Sequence, residues 1–133
     1  MIKRFSLITF FITIAGWLAF AQDDTLEKSI KRGEEVYAAN CSSCHMPQGE
    51  GLEGVYPPMA KTDYLKDQPR AIDIILKGQD GEVTVNGKTY NVAMEAMPNL
   101  TDQQIADVLN YVGNTWENKN PQIKPTQVKA QRK

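Results

Sequence analysis

The chain has 133 residues, and its 15 basic and 16 acidic side chains give a formal net charge of −1. This length is that of one domain, and a charge balance without basic excess argues against nucleic acid as a partner. Two cysteines and one histidine are also too few side chains for a zinc site with about four ligands.

The first 21 residues have the features of a secretory signal peptide. Two basic residues precede an apolar stretch over residues 5–20, and Ala19-Phe20-Ala21 matches a small-residue cleavage site. The apolar stretch is short for a membrane-spanning helix, which needs about 20 residues, although an uncleaved anchor remains the alternative. Cleavage after Ala21 would leave 112 residues with a formal charge of −3 and no membrane span. The expected location of this mature protein is the periplasm.

A first helix is predicted over residues 25–39. Asp24 and Glu27 have the spacing of N-cap and N3 residues, and helical recurrence follows at Leu26, Ile30, Gly33 and Tyr37. A glycine inside a helix costs about 1 kcal/mol relative to alanine. Gly33 therefore either allows another helix to approach closely or is a tolerated surface glycine.

The next segment, Cys41-Ser42-Ser43-Cys44-His45, has the spacing of a haem c attachment motif. Each cysteine can add across one vinyl group of the porphyrin, and the adjacent imidazole can bind the iron. A disulfide between Cys41 and Cys44 would leave His45 without a role. A thioredoxin-like pair would need a βαβ pattern, which this sequence does not show. The motif therefore predicts one covalent haem c, attached through Cys41 and Cys44 and bound to His45.

Turn and capping residues predict a loop, a short helix and a hairpin in the middle of the chain. Residues 46–68 are rich in glycine and proline and are predicted to form an irregular loop. Pro69 suits the start of a short helix that ends at Gly78. Two turn dipeptides with flanking β-branched and aromatic residues predict a small hairpin over residues 82–92.

A last helix is predicted over residues 102–115, with Trp116 at its end. Thr101 and Gln104 have the spacing of a capping box, and one helix face is apolar, with Ile105, Val108, Leu109 and Val112. Residues 118–133 are polar and basic and include two prolines. This composition predicts a C-terminal tail that is mobile or lightly packed on the surface.

These features resemble class I monohaem cytochromes c, in particular the small bacterial domains that occur alone or fused to respiratory enzymes. The likeness covers about residues 26–117 and rests on these motifs: Gly33-x-x-x-Tyr37, Cys41-Ser-Ser-Cys44-His45, Tyr56-Pro57-Pro58-Met59-Ala60, Val85-Asn86-Gly87-Lys88-x-Tyr90-Asn91 and the run from Leu100 to Val112. The resemblance implies an all-α cytochrome c fold with crossed N- and C-terminal helices, which accounts for Gly33. Together with the N-terminal and C-terminal segments described above, it gives three expected regions: a signal peptide (1–21), a cytochrome c domain (22–117) and the tail (118–133).

The resemblance further implies a proline carbonyl that accepts a hydrogen bond from the ligand imidazole. Pro57 is the expected acceptor and Pro58 the alternative. Such a bond would fix the orientation of the ring and tune the iron.

The chain has no second histidine, so a haem with two histidine ligands from one chain is impossible. The candidates for the sixth iron ligand are therefore the methionines. Met46 adjoins His45 and cannot reach the opposite haem face, and Met59 occupies a position that is apolar in the family. Met94 and Met97 remain. Met97 lies only four residues before the helix cap, whereas Met94 follows Tyr90-Asn91 as the family ligand does. The resemblance therefore favours Met94, with Met97 as the alternative.

A haem iron with histidine and methionine ligands has no open position for substrate, and the thioether raises the reduction potential. We therefore expect a non-enzymatic, monomeric periplasmic carrier of one electron between a respiratory donor and a terminal oxidase or reductase. The first alternative is a dedicated cytochrome c subunit of a membrane or periplasmic oxidoreductase. A haem enzyme or ligand sensor would need five-coordinate iron, against which the candidate methionines argue.

Overall fold

A computed structural model describes residues 24–132 of the chain. The predicted signal peptide lies outside the described residues. In the described part, the secondary structure is mainly helical, with one small antiparallel hairpin. No helix among these residues has both the length and the apolar character needed to cross a bilayer.

Helix α1, Leu26–Asn40, agrees with the first predicted helix, but its N-cap differs. The cap is Thr25, whose hydroxyl accepts a hydrogen bond from the Lys28 amide. Asp24, the expected cap, instead forms an ion pair with Arg32, at 2.8 Å between Nη2 and Oδ2. A threonine satisfies a free amide of the first turn as an aspartate would, so Asp24 is available for this second role.

Between α1 and the last predicted helix lie several short elements. They are α2 (Ser42–His45), a 3₁₀ segment (Tyr64–Lys66), α3 (Gln68–Lys77), β1 (Val83–Val85) and β2 (Lys88–Tyr90). Helix α3 and the hairpin have bounds close to those expected, whereas the helical turn at the attachment motif was not predicted and the 3₁₀ segment lies within the predicted irregular loop. Asp67 caps α3 by accepting from the Arg70 amide, and the helix ends at Gly78. The two strands pair antiparallel with Val83 opposite Tyr90, as the predicted hairpin requires.

Helix α4, Asp102–Val112, begins with the predicted capping box, in which Thr101 and Gln104 each bind the other's backbone amide. It ends three residues before the expected boundary. Beyond it, the side chains of Asn114 and Thr115 donate to the carbonyls of Asn110 and Tyr111. Because these bonds satisfy last-turn carbonyls that another helical turn would use, the helix can stop at Val112.

Helices α1 and α4 cross where Gly33 faces Asp107. A Cβ atom at Gly33 would overlap the carbonyl oxygen of Asp107 and lie 2.8 Å from Tyr111 Cβ. The two helix backbones are therefore in contact at this point, as the cytochrome c resemblance implied. This crossing confirms the expected all-α fold, and the surface-glycine alternative is wrong.

The C-terminal segment differs from its prediction as a mobile or lightly packed tail. Residues Pro125–Gln131 form a further helix, α5, which packs against α3 and α4. Ile123 and Val128 are buried and belong to the hydrophobic core. Two well-placed apolar side chains are enough to dock this segment because the neighbouring helices provide the rest of the apolar surface.

Candidate haem site

The predicted attachment motif lies on a single helical turn directly after α1. Cys41 caps α1 by donating its backbone amide to Tyr37 O, and α2 then carries Cys44 and His45. The His45 amide donates to Cys41 O at 2.9 Å. Residues three apart on a helical turn share one face, so the two cysteines are presented to the same side.

Both cysteines are free thiols with different exposure. Cys44 is exposed and Cys41 is half-buried. Burial, followed by the proximity of Cys44, raises the pKa of the Cys41 thiol to about 11. Both side chains are thus present as unpaired thiols, which is what thioether formation with two vinyl groups requires.

The imidazole of His45 is buried and held in a defined orientation. Its Nδ1 lies 2.8 Å from the carbonyl oxygen of Pro57, so Nδ1 carries the proton and donates it to that carbonyl. Burial lowers the pKa of His45, while the bond to Pro57 acts in the opposite direction. A neutral imidazole with protonated Nδ1 leaves Nε2 free to bind a metal ion.

The Pro57 carbonyl owes its position to a tight turn within the loop. Leu52 and Tyr56 exchange two backbone hydrogen bonds, of 2.9 and 2.8 Å, immediately before the two prolines. Gly51 lies against this segment with φ +66°, and a Cβ atom there would be 2.5 Å from Tyr56 O. Only glycine combines this backbone conformation with this approach. Pro57, and not Pro58, is the acceptor that the structure brings to His45.

The two candidate methionines lie on the segment between β2 and α4. Met94 exchanges backbone hydrogen bonds with Gln79, of 2.8 and 2.9 Å, and the Met97 amide donates to Ile75 O at 2.7 Å. Both side chains are half-buried and pack against the hydrophobic core, as does that of Met59. The end of α3 thus fixes the backbone at both candidate positions.

Sequence reasoning did not identify two residues that hold the loop after His45. Trp116 lies against Gly49 of this loop and packs edge-on against Tyr37 and Tyr111, with ring centroids 5.2 and 5.3 Å away. Asn118 donates to Met59 O and Val112 O and accepts from the Thr62 amide. The expected position of Trp116 at the end of the last helix was a weak signal for its role. Asn118 had none, because Thr62 and Met59 are 56 and 59 positions away in the sequence.

These observations agree with the chemistry of haem c. The site combines two unpaired thiols on one face, a neutral buried imidazole oriented by a carbonyl, and a methionine-bearing segment packed at the core. A histidine ligand that donates its second ring nitrogen to a carbonyl is the usual arrangement at protein metal centres. The residues present therefore fit this cofactor.

The chain is similar to several known proteins over most of its length. The family described as Cytochrome c matches residues 30–116. Cytochrome c-552 of Thermus thermophilus is 34% identical over 108 residues, which cover 77% of this chain and 67% of that protein. Cytochrome c6 of Cyanidioschyzon merolae is 31% identical over 109 residues, 80% of this chain and 90% of that protein.

A third relative is a subunit of a larger enzyme. The cytochrome c subunit of the quinone alcohol dehydrogenase of Gluconobacter oxydans is 34% identical over 91 residues, or 67% of this chain and 19% of that subunit. Proteins of this group transfer electrons by means of covalent haem c, and Cys41 and Cys44 fit the attachment motif. The matched residues include most of α1, all of α4 and the whole candidate site. The chain therefore belongs to the cytochrome c family and is an electron carrier with a covalent haem c.

Proposed function

We propose that this protein is a periplasmic one-electron carrier in which His45 and Met94 are the axial ligands of a single haem c. The observation that carries the proposal is the buried imidazole of His45, oriented by Pro57 O so that Nε2 is available. The bound haem supplies a reversible one-electron iron couple. Cys41 and Cys44 tether the group, and the loop after His45 keeps water away from the imidazole.

The length of chain before α4 supports Met94 as the sixth ligand in preference to Met97. Met97 is only four residues before the cap at Thr101, whereas Met94 has three more residues of chain before that helix. The backbone at both positions is held near the end of α3, and a rigid backbone reduces the entropy lost when a side chain is held at a metal.

The proposed location follows from the N-terminal segment and its small-residue cleavage site, and not from the folded domain. We infer that residues 1–21 direct export to the periplasm and are removed, which leaves a mature protein without a membrane span. We propose that this mature protein is a monomer. Its partners would be a respiratory donor and a terminal oxidase or reductase. The cytochrome c domain would comprise residues 22–117, with residues 118–133 as a C-terminal segment that packs into the same core through Ile123 and Val128.

A dedicated subunit of an oxidoreductase is the second candidate function. It is favoured by the similarity to cytochrome c subunits of a quinone alcohol dehydrogenase and of a gluconate 2-dehydrogenase. Size-exclusion chromatography of native extract separates the two candidates. A free carrier elutes at its own mass, whereas a subunit elutes with its enzyme.

The covalent haem is tested by acid–acetone extraction of protein expressed with the haem-attachment machinery. We expect one haem per chain to stay with the wild-type protein. The double variant Cys41→Ala/Cys44→Ala should release any haem it binds, while Ser43→Ala, between the two cysteines, should retain it as a control. Complete extraction from the wild type would contradict the proposal.

The sixth ligand is tested by two matched variants. Met94→Ala should abolish the weak absorption band of the oxidised methionine–iron bond at the red end of the visible spectrum and allow carbon monoxide to bind the reduced protein. Met97→Ala should keep the band and lose at most about 2–5 kcal/mol of stability through the cavity it creates. The opposite pattern would make Met97 the ligand.

A further inference from the structure

The guanidinium group of Arg132, at the end of α5, binds the segment that leads into α4. Its Nη1 donates to Pro98 O at 2.8 Å and its Nη2 to Leu100 O at 2.6 Å. Its Nε donates to the carboxylate of Asp102, also at 2.8 Å. One side chain therefore binds three acceptors, on residues 98, 100 and 102, where the chain leads from the candidate methionines into α4.

Arg132 can hold this segment because α5 is itself fixed. Val128 on α5 is fully buried, and the Arg132 amide donates to Val128 O and Lys129 O at the helix end. The chain leading to α5 is also anchored, since Asn110 in α4 exchanges hydrogen bonds with both backbone groups of Ile123. Arg132 itself is exposed, but its side chain extends from a helix that is anchored in the core through Val128.

The same segment is held from its other side by α3. The Met97 amide donates to Ile75 O, and Met94 is paired with Gln79. Residues 97–100 then form a turn in which the Leu100 amide donates to Met97 O at 3.2 Å. Arg132 closes the far end of this turn, so that residues 94–102 are fixed at both ends and have little freedom between them.

We propose that Arg132 is a positioning residue for the methionine ligand of the haem iron. By holding the carbonyls of Pro98 and Leu100, it keeps the methionine-bearing segment in the conformation that places the sulfur at the iron. The inference rests on the proposed function, but it holds for either methionine because Met94 precedes the clamped turn and Met97 is its first residue. It assigns to the C-terminal segment a role in iron ligation.

The test compares Arg132→Ala with a control in the same C-terminal segment. In the control, Gln122→Ala, the side chain that donates to Asp24 O at 2.9 Å is removed, and this side chain forms no hydrogen bond to residues 94–102. The holoproteins are compared by the methionine–iron absorption band, by carbon monoxide affinity in the reduced state and by hydrogen exchange at the Met97 and Leu100 amides. Arg132→Lys keeps the charge but cannot reach three acceptors at once.

We expect Arg132→Ala to increase the apparent affinity for carbon monoxide about tenfold, because a tenfold larger fraction of molecules has the methionine detached. The absorption band should weaken and the two amides should exchange faster. Arg132→Lys should lie between Arg132→Ala and the wild type, and Gln122→Ala should match the wild type in all three measurements.

Two results would overturn the inference. If Arg132→Ala unfolds more easily but keeps the band, the carbon monoxide affinity and the amide protection of the wild type, the side chain only supports α5. If Gln122→Ala changes the three measurements as much as Arg132→Ala does, the effect is one of general stability. A wild-type protein without the methionine–iron band would instead contradict the proposed function, which separates the two failures.

Discussion

At the scale of single residues, Gly33 determines how closely α1 and α4 approach. Its missing side chain leaves room for the carbonyl of Asp107 and the Cβ of Tyr111. The same crossing buries Asp107, which accepts hydrogen bonds from Ser29, Arg32 and Gln103. Close contact and a satisfied buried carboxylate thus occur together at one point of the fold.

Gly33→Ala should destabilise the protein by about 1–3 kcal/mol, the usual range for a group forced into a packed interior. Helix propensity alone predicts the opposite sign, a gain of about 1 kcal/mol, so the experiment separates packing from propensity. Denaturant unfolding of the holoprotein measures the effect. Ala38→Gly, at an exposed position of the same helix, is the control and should lose only about 1 kcal/mol. A stabilised Gly33→Ala variant would contradict the observed contact.

Residue types and local spacing allowed much of the site to be predicted, but not the long-range contacts. The attachment motif and the neighbouring His45 are contiguous in sequence, so their spacing alone identifies them. The bond between His45 and Pro57 joins residues 12 positions apart and was expected only from the family resemblance. Asp24 was expected to cap α1, because sequence spacing could not show that Arg32 would be its partner.

At the scale of elements, the predictable helices are those with clear caps and an apolar face. A capping box marks the start of α4, and a glycine marks the end of α3. Helix α5 has one buried side chain, Val128, and a single turn-forming signal in Pro125 at its first position. Its stability depends on surface provided by α3 and α4, which no local pattern in residues 118–133 reveals.

Val128→Ala should therefore destabilise the whole protein by about 2 kcal/mol, from the buried methyl groups removed and the cavity that remains. A lightly packed tail would lose almost nothing. Thermal or denaturant unfolding of the holoprotein measures the change. Lys129→Ala, at the exposed neighbouring position, is the control and should stay within about 0.5 kcal/mol of the wild type. Equal stability of the two variants would mean that α5 is not docked in solution.

At the scale of the whole molecule, one buried polar network joins α1, α4 and the segment that leads into α5. Asn110, buried in α4, donates to Ser29 Oγ in α1 and exchanges two hydrogen bonds with Ile123 before α5. Ser29 in turn donates to Asp107. Buried polar groups stabilise a unique arrangement only when all are paired, and these pairings specify how three separate segments meet.

The haem side of the molecule is joined to the same core through Tyr37. Its ring is buried against Tyr111 and Trp116, and its hydroxyl donates to Met46 O at 2.7 Å, directly after His45. Burial is the main reason that the pKa of Tyr37 is raised, with a smaller contribution from Cys41. The pKa of Tyr111 is raised as well, mainly by burial and then by Glu34.

The raised pKa values of Tyr37 and Tyr111 predict a loss of stability at alkaline pH. A tyrosine in the unfolded chain ionises near pH 10, and the folded protein favours the neutral phenol. The stabilisation is therefore complete below about pH 10 and is lost as the pH rises towards the folded pKa, with a slope of at most about 1.4 kcal/mol per pH unit for one group. Tyr37→Phe should cost about 1 kcal/mol at pH 7 through the lost hydrogen bond but should flatten the decline above pH 10.

Denaturant unfolding of the holoprotein between pH 7 and about 11 measures this difference. Tyr111→Phe is the matched control, because its phenol is less deeply buried than that of Tyr37 and it should flatten the decline less. Ionisable groups that all three proteins share contribute equally to the pH dependence of the unfolding free energy, so their contributions cancel in the comparison. If the stability of Tyr37→Phe fell above pH 10 as steeply as that of the wild type, ionisation of the buried Tyr37 phenol would not be a cause of the loss of stability at alkaline pH.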